Sequence, residues 1–180
     1  EIDLKNVEKI GDYAFYGCTK LSTVYTANTA EGNRIADTVD LSGITLIGTR
    51  AFQDCKAFVS VTLDDALEAT GDTAFYGCSS LTTVHLPKNL ETISFQSFLS
   101  CSSLAALEIP ASVTSIGSNV FVGCRNLVLS VAAGNGKYEI RDRWLVDKTT
   151  NTVLFMPATT DGVEPENITE FNFADGMKLY

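Results

Sequence analysis

Apolar and polar residues alternate in short runs along this chain, and the runs recur in one register. In the unit that begins at Leu81 the apolar residues are Leu81, Val84, Leu86, Leu90, Ile93, Phe98 and Cys101. In the next unit they are Leu104, Leu107, Ile109, Val113, Ile116, Phe121 and Cys124. The fourth and sixth positions alternate with polar residues, which is the period of a half-buried strand. Because a proline follows directly in both units and cannot donate to a ladder, the pattern predicts one short strand at the start of each unit.

The later part of each unit predicts a short helical turn, as in the stretch Asp72 to Gly77. Asp12 and Asp72 are predicted to cap this turn by accepting backbone N–H bonds. Gly17, Gly77 and Gly123 suit the left-handed residue that closes it. In two units Asp54 and Ser100 replace that glycine, which predicts looser turns there.

Five cysteines mark the repeat: Cys18, Cys55, Cys78, Cys101 and Cys124. The last three gaps are 23 residues each, and the first gap of 37 residues is longer by 14. A phenylalanine stands three residues before every cysteine: Phe15, Phe52, Phe75, Phe98 and Phe121. One unit of this size leaves its apolar faces open, so neighbouring units must stack to cover them. The strands would then align about 4.8 Å apart in one parallel sheet.

The repeat resembles the BspA-type leucine-rich repeat, with the pattern I-G-x-x-A-F-x-G-C-x-x-L-x-x-V-x-L-P. The pattern begins at Ile10 and again at Ile47, Thr70, Ile93 and Ile116, with Thr70, Ser94, Ser97 and Val120 as departures. The resemblance implies a leucine-rich repeat solenoid, a right-handed β/α superhelix with a parallel β-sheet on one face and short helical turns on the other. We expect a single domain over residues 1–180, with five coils over about residues 7–131.

Three further segments are predicted around these coils. The extra residues lie in a small, polar segment and predict a projecting loop over 26–40. Residues 138–157 resemble a family insert and read as a C-terminal β-hairpin, with strands Ile140–Val146 and Thr152–Met156 and a turn near Lys148–Asn151. Pro165, Ile168 and Phe171 repeat the spacing of Pro87, Leu90 and Ile93, which predicts a partial repeat over 163–180. That segment is either the start of further coils or a cap.

The composition narrows the function. A net charge of −9 disfavours nucleic acid and anionic lipid as partners. No apolar run has the length of a membrane helix, so direct membrane insertion is not expected. The sequence lacks a G-x-S-x-G elbow, a phosphate loop and a C-x-x-C pair, and no other candidate ligand stands at metal spacing from His85, the single histidine. We therefore expect no enzyme activity, no catalytic residues, no metal and no cofactor.

The cysteines and carboxylates receive structural interpretations. Equivalent positions in adjacent coils point inward, which favours buried free thiols over disulfides. The carboxylates at Asp64, Asp65, Glu68 and Asp72 are explained by solvated loops, and calcium binding is the weaker alternative. Trp144 and Tyr138 are predicted to belong to the core of the last coil.

The outward positions of the strands form the candidate ligand-binding strip, predicted to lie on a concave face. They are Thr23, Tyr25, Ser60, Thr62, Thr83, His85, Ala106 and Glu108, of which all except Ala106 are the candidate binding residues. Members of the resembled family are commonly exported or anchored to bacterial surfaces. The resemblance therefore implies an extracellular or cell-surface adhesion module that binds a protein, including host extracellular or cell-surface proteins. The alternatives are a carbohydrate-binding module and a structural spacer without a ligand of its own.

Overall fold

The structure is a computed structural model that describes residues 1–26, 36–157 and 170–171. These ranges contain fifteen strands and no helix. The strands are β1 (Ile2–Asp3), β2 (Lys9–Ile10), β3 (Val24–Tyr25), β4 (Thr38–Leu41), β5 (Leu46–Ile47), β6 (Ser60–Leu63), β7 (Thr83–His85), β8 (Thr92–Ile93), β9 (Ala106–Ile109), β10 (Ser115–Ile116), β11 (Val128–Val131), β12 (Tyr138–Arg141), β13 (Trp144–Asp147), β14 (Thr152–Phe155) and β15 (Glu170–Phe171). No helix in these ranges is long and apolar enough to cross a bilayer.

The front of the molecule is a seven-stranded parallel sheet in the order β1-β3-β4-β6-β7-β9-β11. Its register aligns the fourth position of each unit, so Val39 pairs with Val61 and Val61 with Val84. These valines point inward and are at most 6% exposed, as the alternation predicts. The predicted parallel sheet is therefore confirmed.

The back of the molecule consists of turns, and the predicted helical turns are wrong. Each turn contains isolated hydrogen bonds between residues three apart in the sequence, such as the bond from Ala74 N to Gly71 O at 3.1 Å. The remaining N–H groups donate to the next coil, as Phe52 N does to Ala74 O at 2.9 Å. Because these N–H groups donate to the neighbouring coil, they cannot form the hydrogen bonds of an α-helix, which join residues four apart. Two short parallel pairs, β2 with β5 and β8 with β10, continue this ladder.

The residue that closes each turn adopts the left-handed conformation, whatever its side chain. Gly77 has φ 70°, and Asp54 and Ser100 at the same place have φ 59° and 61°. The aspartates also act differently from the prediction. Asp12 Oδ1 accepts from Thr49 N at 2.7 Å and Asp72 Oδ1 accepts from Phe95 N at 3.2 Å, so each carboxylate caps the neighbouring coil.

A ladder of phenylalanine rings runs through the core. Neighbouring rings are nearly parallel, with centroids 5.2, 5.4, 5.6 and 6.5 Å apart from Phe15 to Phe121. The backbone carbonyls of the first four phenylalanines each accept from the thiol of the next coil, as Phe75 O does from Cys101 Sγ at 3.1 Å. All five cysteines are free, as predicted. Chemically matching residues therefore lie on top of one another in one continuous interior.

The insertion places one strand in the sheet without adding a turn to the back. Val24 pairs with Val39 in the sheet, whereas on the back Ile10 pairs directly with Ile47. The predicted loop over 26–40 is thus too long, because Thr38–Leu41 is strand β4; residues 27–35 lie outside the described ranges. From β1 to β4 the front sheet therefore extends by two strand spacings of about 4.8 Å each. Over the same part of the chain the core extends by a single step, because the rings of Phe15 and Phe52 are only 5.2 Å apart.

The C-terminal hairpin is a three-stranded antiparallel meander. The predicted strand Ile140–Val146 is divided into β12 and β13 by Asp142 and Arg143, with φ 49° and 74°. Two consecutive positive φ angles fit the tight turn that joins two strands of a hairpin. Strands β13 and β14 form the second, predicted hairpin. Of the predicted partial repeat, only the backbone of β15, parallel to β14, falls within the described residues.

Asn135 fastens the last coil to this meander. The side chain is buried, and its Nδ2 donates to Pro110 O at 2.8 Å and to Val113 O at 3.2 Å. Its Oδ1 accepts from Lys137 N at 2.9 Å and Tyr138 N at 2.8 Å. One side chain thus satisfies four backbone groups at the point where the repeat ends.

Candidate binding surface

The strand register determines which side chains project from the front of the sheet. Two outward rows cross the strands, because residues on either side of each inward valine or leucine point away from the core. One row includes Ser60, paired with Thr83, which is paired with Ala106. The other includes Thr62, paired with His85. Glu108 continues this row and pairs with Ser130.

The structure separates the predicted strip into two parts. Thr83, His85 and Glu108 are exposed, and Ser60 and Thr62 are half-buried. The prediction that Thr23 and Tyr25 are solvent-facing is wrong, because both are 6% exposed. Thr23 lies against the chain that enters β4, where its Oγ1 accepts from Asp37 N at 3.2 Å. The accessible part of the candidate site is therefore carried by β6, β7 and β9.

Sequence reasoning missed four outward residues. Thr38 and Asp40 leave the same face from β4, and Val128 and Ser130 leave it from β11. The signal was present in the sequence, since Val39-x-Leu41 matches the V-x-L of the other strands. Val128 is 65% exposed, which makes it the most exposed large apolar side chain among the described residues.

Four of the five thiols are buried in the core, and Cys18 is half-buried. Burial raises the pKa of Cys55 to about 12, with the neighbouring Cys18 thiol acting in the same direction. Burial likewise raises the pKa of Cys124 to about 12, and it raises the pKa values of Cys78 and Cys101 well above the ordinary value. Because the thiolate is the nucleophile and the metal ligand, these side chains act as small apolar core residues.

The other candidate residues also have structural surroundings. Tyr138 and Trp144 are 3% and 2% exposed, so both are buried. Tyr138 packs in the core of the coils as predicted, whereas Trp144 lies in a separate cluster with Val146 and Val153, so its predicted place in the core of the last coil is wrong. Asp64 accepts backbone N–H bonds from Gly43 and Ala66, and Asp65 pairs with Lys88 at 2.8 Å. Within the described ranges, no three or more histidine, cysteine, aspartate or glutamate side chains are grouped to hold a metal ion.

Stacked coils with a parallel front sheet, back turns and core positions that recur from coil to coil define a leucine-rich repeat solenoid. The chain belongs to the family of BspA-type leucine-rich repeat regions, because the model of that family matches residues 1–34 and 37–145 in six copies. The resemblance noted in the sequence is thereby confirmed. No curated protein matches the sequence.

Solved bacterial structures share the fold. A leucine-rich cell surface protein from Faecalibacterium prausnitzii is similar with a TM-score of 0.69 and 27% identity, over 86% of this chain and 45% of that chain. The leucine-rich repeat protein TpLRR of T. pallidum has a TM-score of 0.57 and 33% identity, over 69% and 51%. The pneumococcal vaccine antigen PcpA has a TM-score of 0.66 and 24% identity, over 86% and 36%. This chain thus spans about half or less of the length of each.

Proposed function

We propose that this chain is a noncatalytic protein-binding module of an exported bacterial cell-surface protein, with a role in adhesion. The repeat family and the solenoid fold are typical of binding modules, and a similar protein in F. prausnitzii is described as a cell surface protein. Host extracellular or cell-surface proteins are the proposed partners. The surface position and the partner class rest on these likenesses.

The proposed contact is the exposed front of β6, β7 and β9. The observation that carries the proposal is a row of polar side chains on the sheet, Thr62, His85 and Glu108, with the exposed Thr83 in the neighbouring row. Side chains on a strand are held in position by the inward residues on either side, so the row presents fixed donors and acceptors. Thr23 and Tyr25 are left out of the proposed contact because they are buried.

The test begins with capture of partners from extracellular-matrix and cell-surface extracts by the immobilised chain. The captured protein is then titrated against a quadruple alanine variant at Thr62, Thr83, His85 and Glu108. We expect a loss of binding of at least about tenfold, because removing contacts worth about 1.4 kcal/mol changes affinity by that factor.

A matched variant places alanine at four exposed polar positions away from the row: Glu91, Ser103, Ser118 and Asn126. This control should bind as the parent chain does. Unchanged binding by the first variant would contradict the proposed contact, and capture of no protein from any extract would contradict the proposed function.

A further inference from the structure

A groove of about 660 Å³ is lined by residues outside the front sheet. Its lining comes from successive coils and includes Asp12, Thr49 and Asp72, with Leu46 and Glu68. The volume lies within the range of ligand-binding clefts, which is about 300–1,000 Å³. Leu46 is 47% exposed, so apolar surface is available to a ligand beside the polar groups.

Glycines allow the coils to meet closely under this groove. A Cβ atom on Gly48 would lie 2.5 Å from Asp12 N, and one on Gly71 would lie 2.3 Å from Gly48 O. Any side chain at these places would push the backbones apart. The lining is therefore set by backbone packing, and the polar groups around it are held at fixed spacings.

Hydrogen bonds orient two of the carboxylates that line the groove. Asp12 Oδ1 accepts from Thr49 N at 2.7 Å, and Asp72 Oδ1 accepts from Phe95 N at 3.2 Å. One oxygen of each carboxylate is thus held by a backbone N–H group of the neighbouring coil. Oriented carboxylate oxygens are suitable acceptors for the hydroxyl groups of a ligand.

A pair of solvent-facing tyrosines lies beside the groove. Tyr13 and Tyr16 are 52% and 49% exposed, with ring centroids 5.9 Å apart and planes inclined by 50°. The Arg50 guanidinium lies 5.5 Å from the centre of the Tyr13 ring. The backbone of Tyr13 contacts the groove lining, because Tyr13 N donates to Thr49 O at 2.9 Å and Thr49 lines the groove.

We infer that the groove and the tyrosine pair form a second binding site, which takes a glycan built of uncharged pyranose units. The C–H faces of pyranose rings stack on aromatic side chains, and their hydroxyl groups donate to carboxylates and accept from arginine. A negatively charged sugar would meet Asp12, Glu68 and Asp72 against a single lysine, Lys9, in the groove lining. The groove shares no residue with the proposed protein contact on β6, β7 and β9, so the inference does not depend on that contact.

Binding is tested with the full chain and with hexasaccharides of glucose, mannose, galactose and N-acetylglucosamine. At least one of them should bind with a dissociation constant below about 1 mM, while a sialylated oligosaccharide should bind at least about tenfold more weakly because of the carboxylates. Saturation-transfer NMR should show the bound sugar receiving magnetisation from tyrosine rings. If none of the four hexasaccharides binds, the inference is wrong.

The double variant Tyr13→Ala and Tyr16→Ala should lose at least about tenfold in affinity, since each ring contributes roughly 1 kcal/mol of stacking. The double variant with phenylalanine keeps the rings and should lose less. Val59→Ala, another exposed apolar side chain, serves as the matched control. If the alanine variant folds and binds as the parent does, or if the NMR transfer in the parent chain does not involve tyrosine, the inference is overturned.

Discussion

At the scale of single residues, two departures from the repeat form one contacting pair. Thr70 stands where other coils have isoleucine, and Ser94 stands where the following coil would have glycine. In regular coils the glycine N–H donates to the isoleucine carbonyl, as Gly117 N does to Ile93 O at 2.8 Å. Here Ser94 N donates to Thr70 Oγ1 at 2.8 Å instead, and Ser94 Oγ donates to Thr70 O.

This exchange predicts strong coupling between the two positions. Thr70→Ile alone should reduce the free energy of unfolding by about 1–2 kcal/mol, because the Ser94 N–H loses its acceptor. Adding Ser94→Gly should recover most of that loss, since the regular glycine-to-carbonyl bond becomes available. Urea unfolding of the two single variants and the double variant measures the coupling. Additive effects would show that the two departures are independent.

A buried hydroxyl marks another departure. Ser97 is fully buried, its Oγ has no hydrogen-bond partner among the described residues, and the equivalent residue of the two preceding coils is alanine. Ser97→Ala should raise the free energy of unfolding by about 1 kcal/mol, because the desolvation cost of the hydroxyl is removed. Urea unfolding measures the change. Ser103→Ala at an exposed position should change it little, and a destabilised Ser97→Ala would contradict the prediction.

At the scale of elements, the cysteine row makes the fold sensitive to alkali. The folded-state pKa values of Cys55 and Cys124 are about 12, above the ordinary value of 9.0. The unfolded chain therefore releases these protons first as pH rises. The thiols contribute full stability below about pH 9, and that contribution is lost progressively between about pH 9 and 12.

Urea unfolding at a series of pH values tests whether the free energy of unfolding falls as the pH rises above 9. Each thiol that ionises only in the unfolded chain should lower the free energy of unfolding by about 1.4 kcal/mol per pH unit above pH 9. The variant Cys124→Ala should have a smaller slope than the parent chain, which separates the thiol effect from that of lysines and tyrosines. Equal slopes would contradict the assignment.

Also at the scale of elements, only one of the two turns in the C-terminal meander was predicted. The turn at Lys148–Asn151 follows from its polar sequence, but Asp142 and Arg143 carry no glycine to mark a two-residue turn. Both residues adopt positive φ because the strands on either side pair with each other. The helical turns failed for a related reason: hydrogen bonds between coils compete with those within a turn, and a single unit does not reveal its neighbours.

At the scale of the whole molecule, the repeat period predicted the parallel sheet and the stacked core. The cysteine and phenylalanine spacing follows only the back of the coils, so it could not reveal β4, which enters the front without a back turn of its own. The missing information about β4 also explains why the candidate strip was only partly correct. Alternation places Thr83, His85 and Glu108 correctly, whereas Thr23 is buried where it accepts from Asp37 N, a contact that alternation does not reveal.

This arrangement predicts that residues 25–39 can be deleted without loss of the fold. Joining Val24 to Asp40 would leave one front strand for each back turn. The core contact across the deletion would be kept, because Phe15 already stacks directly on Phe52. We expect cooperative unfolding of the shortened chain, measured by circular dichroism during urea titration. Deleting residues 61–75, an equal length that removes most of one coil including Phe75, should abolish it. An unfolded first variant would show that the segment is required.

The mismatch between front and back also determines how the array bends. From Phe52 to Phe121 the ring spacings of 5.4, 5.6 and 6.5 Å exceed the usual strand spacing of about 4.8 Å, which predicts a front that curves inward. Around β3 the front is the longer side, which predicts outward curvature there. We therefore expect an S-shaped profile, in which a rounded partner would fit against the C-terminal strands while leaving the first ones untouched.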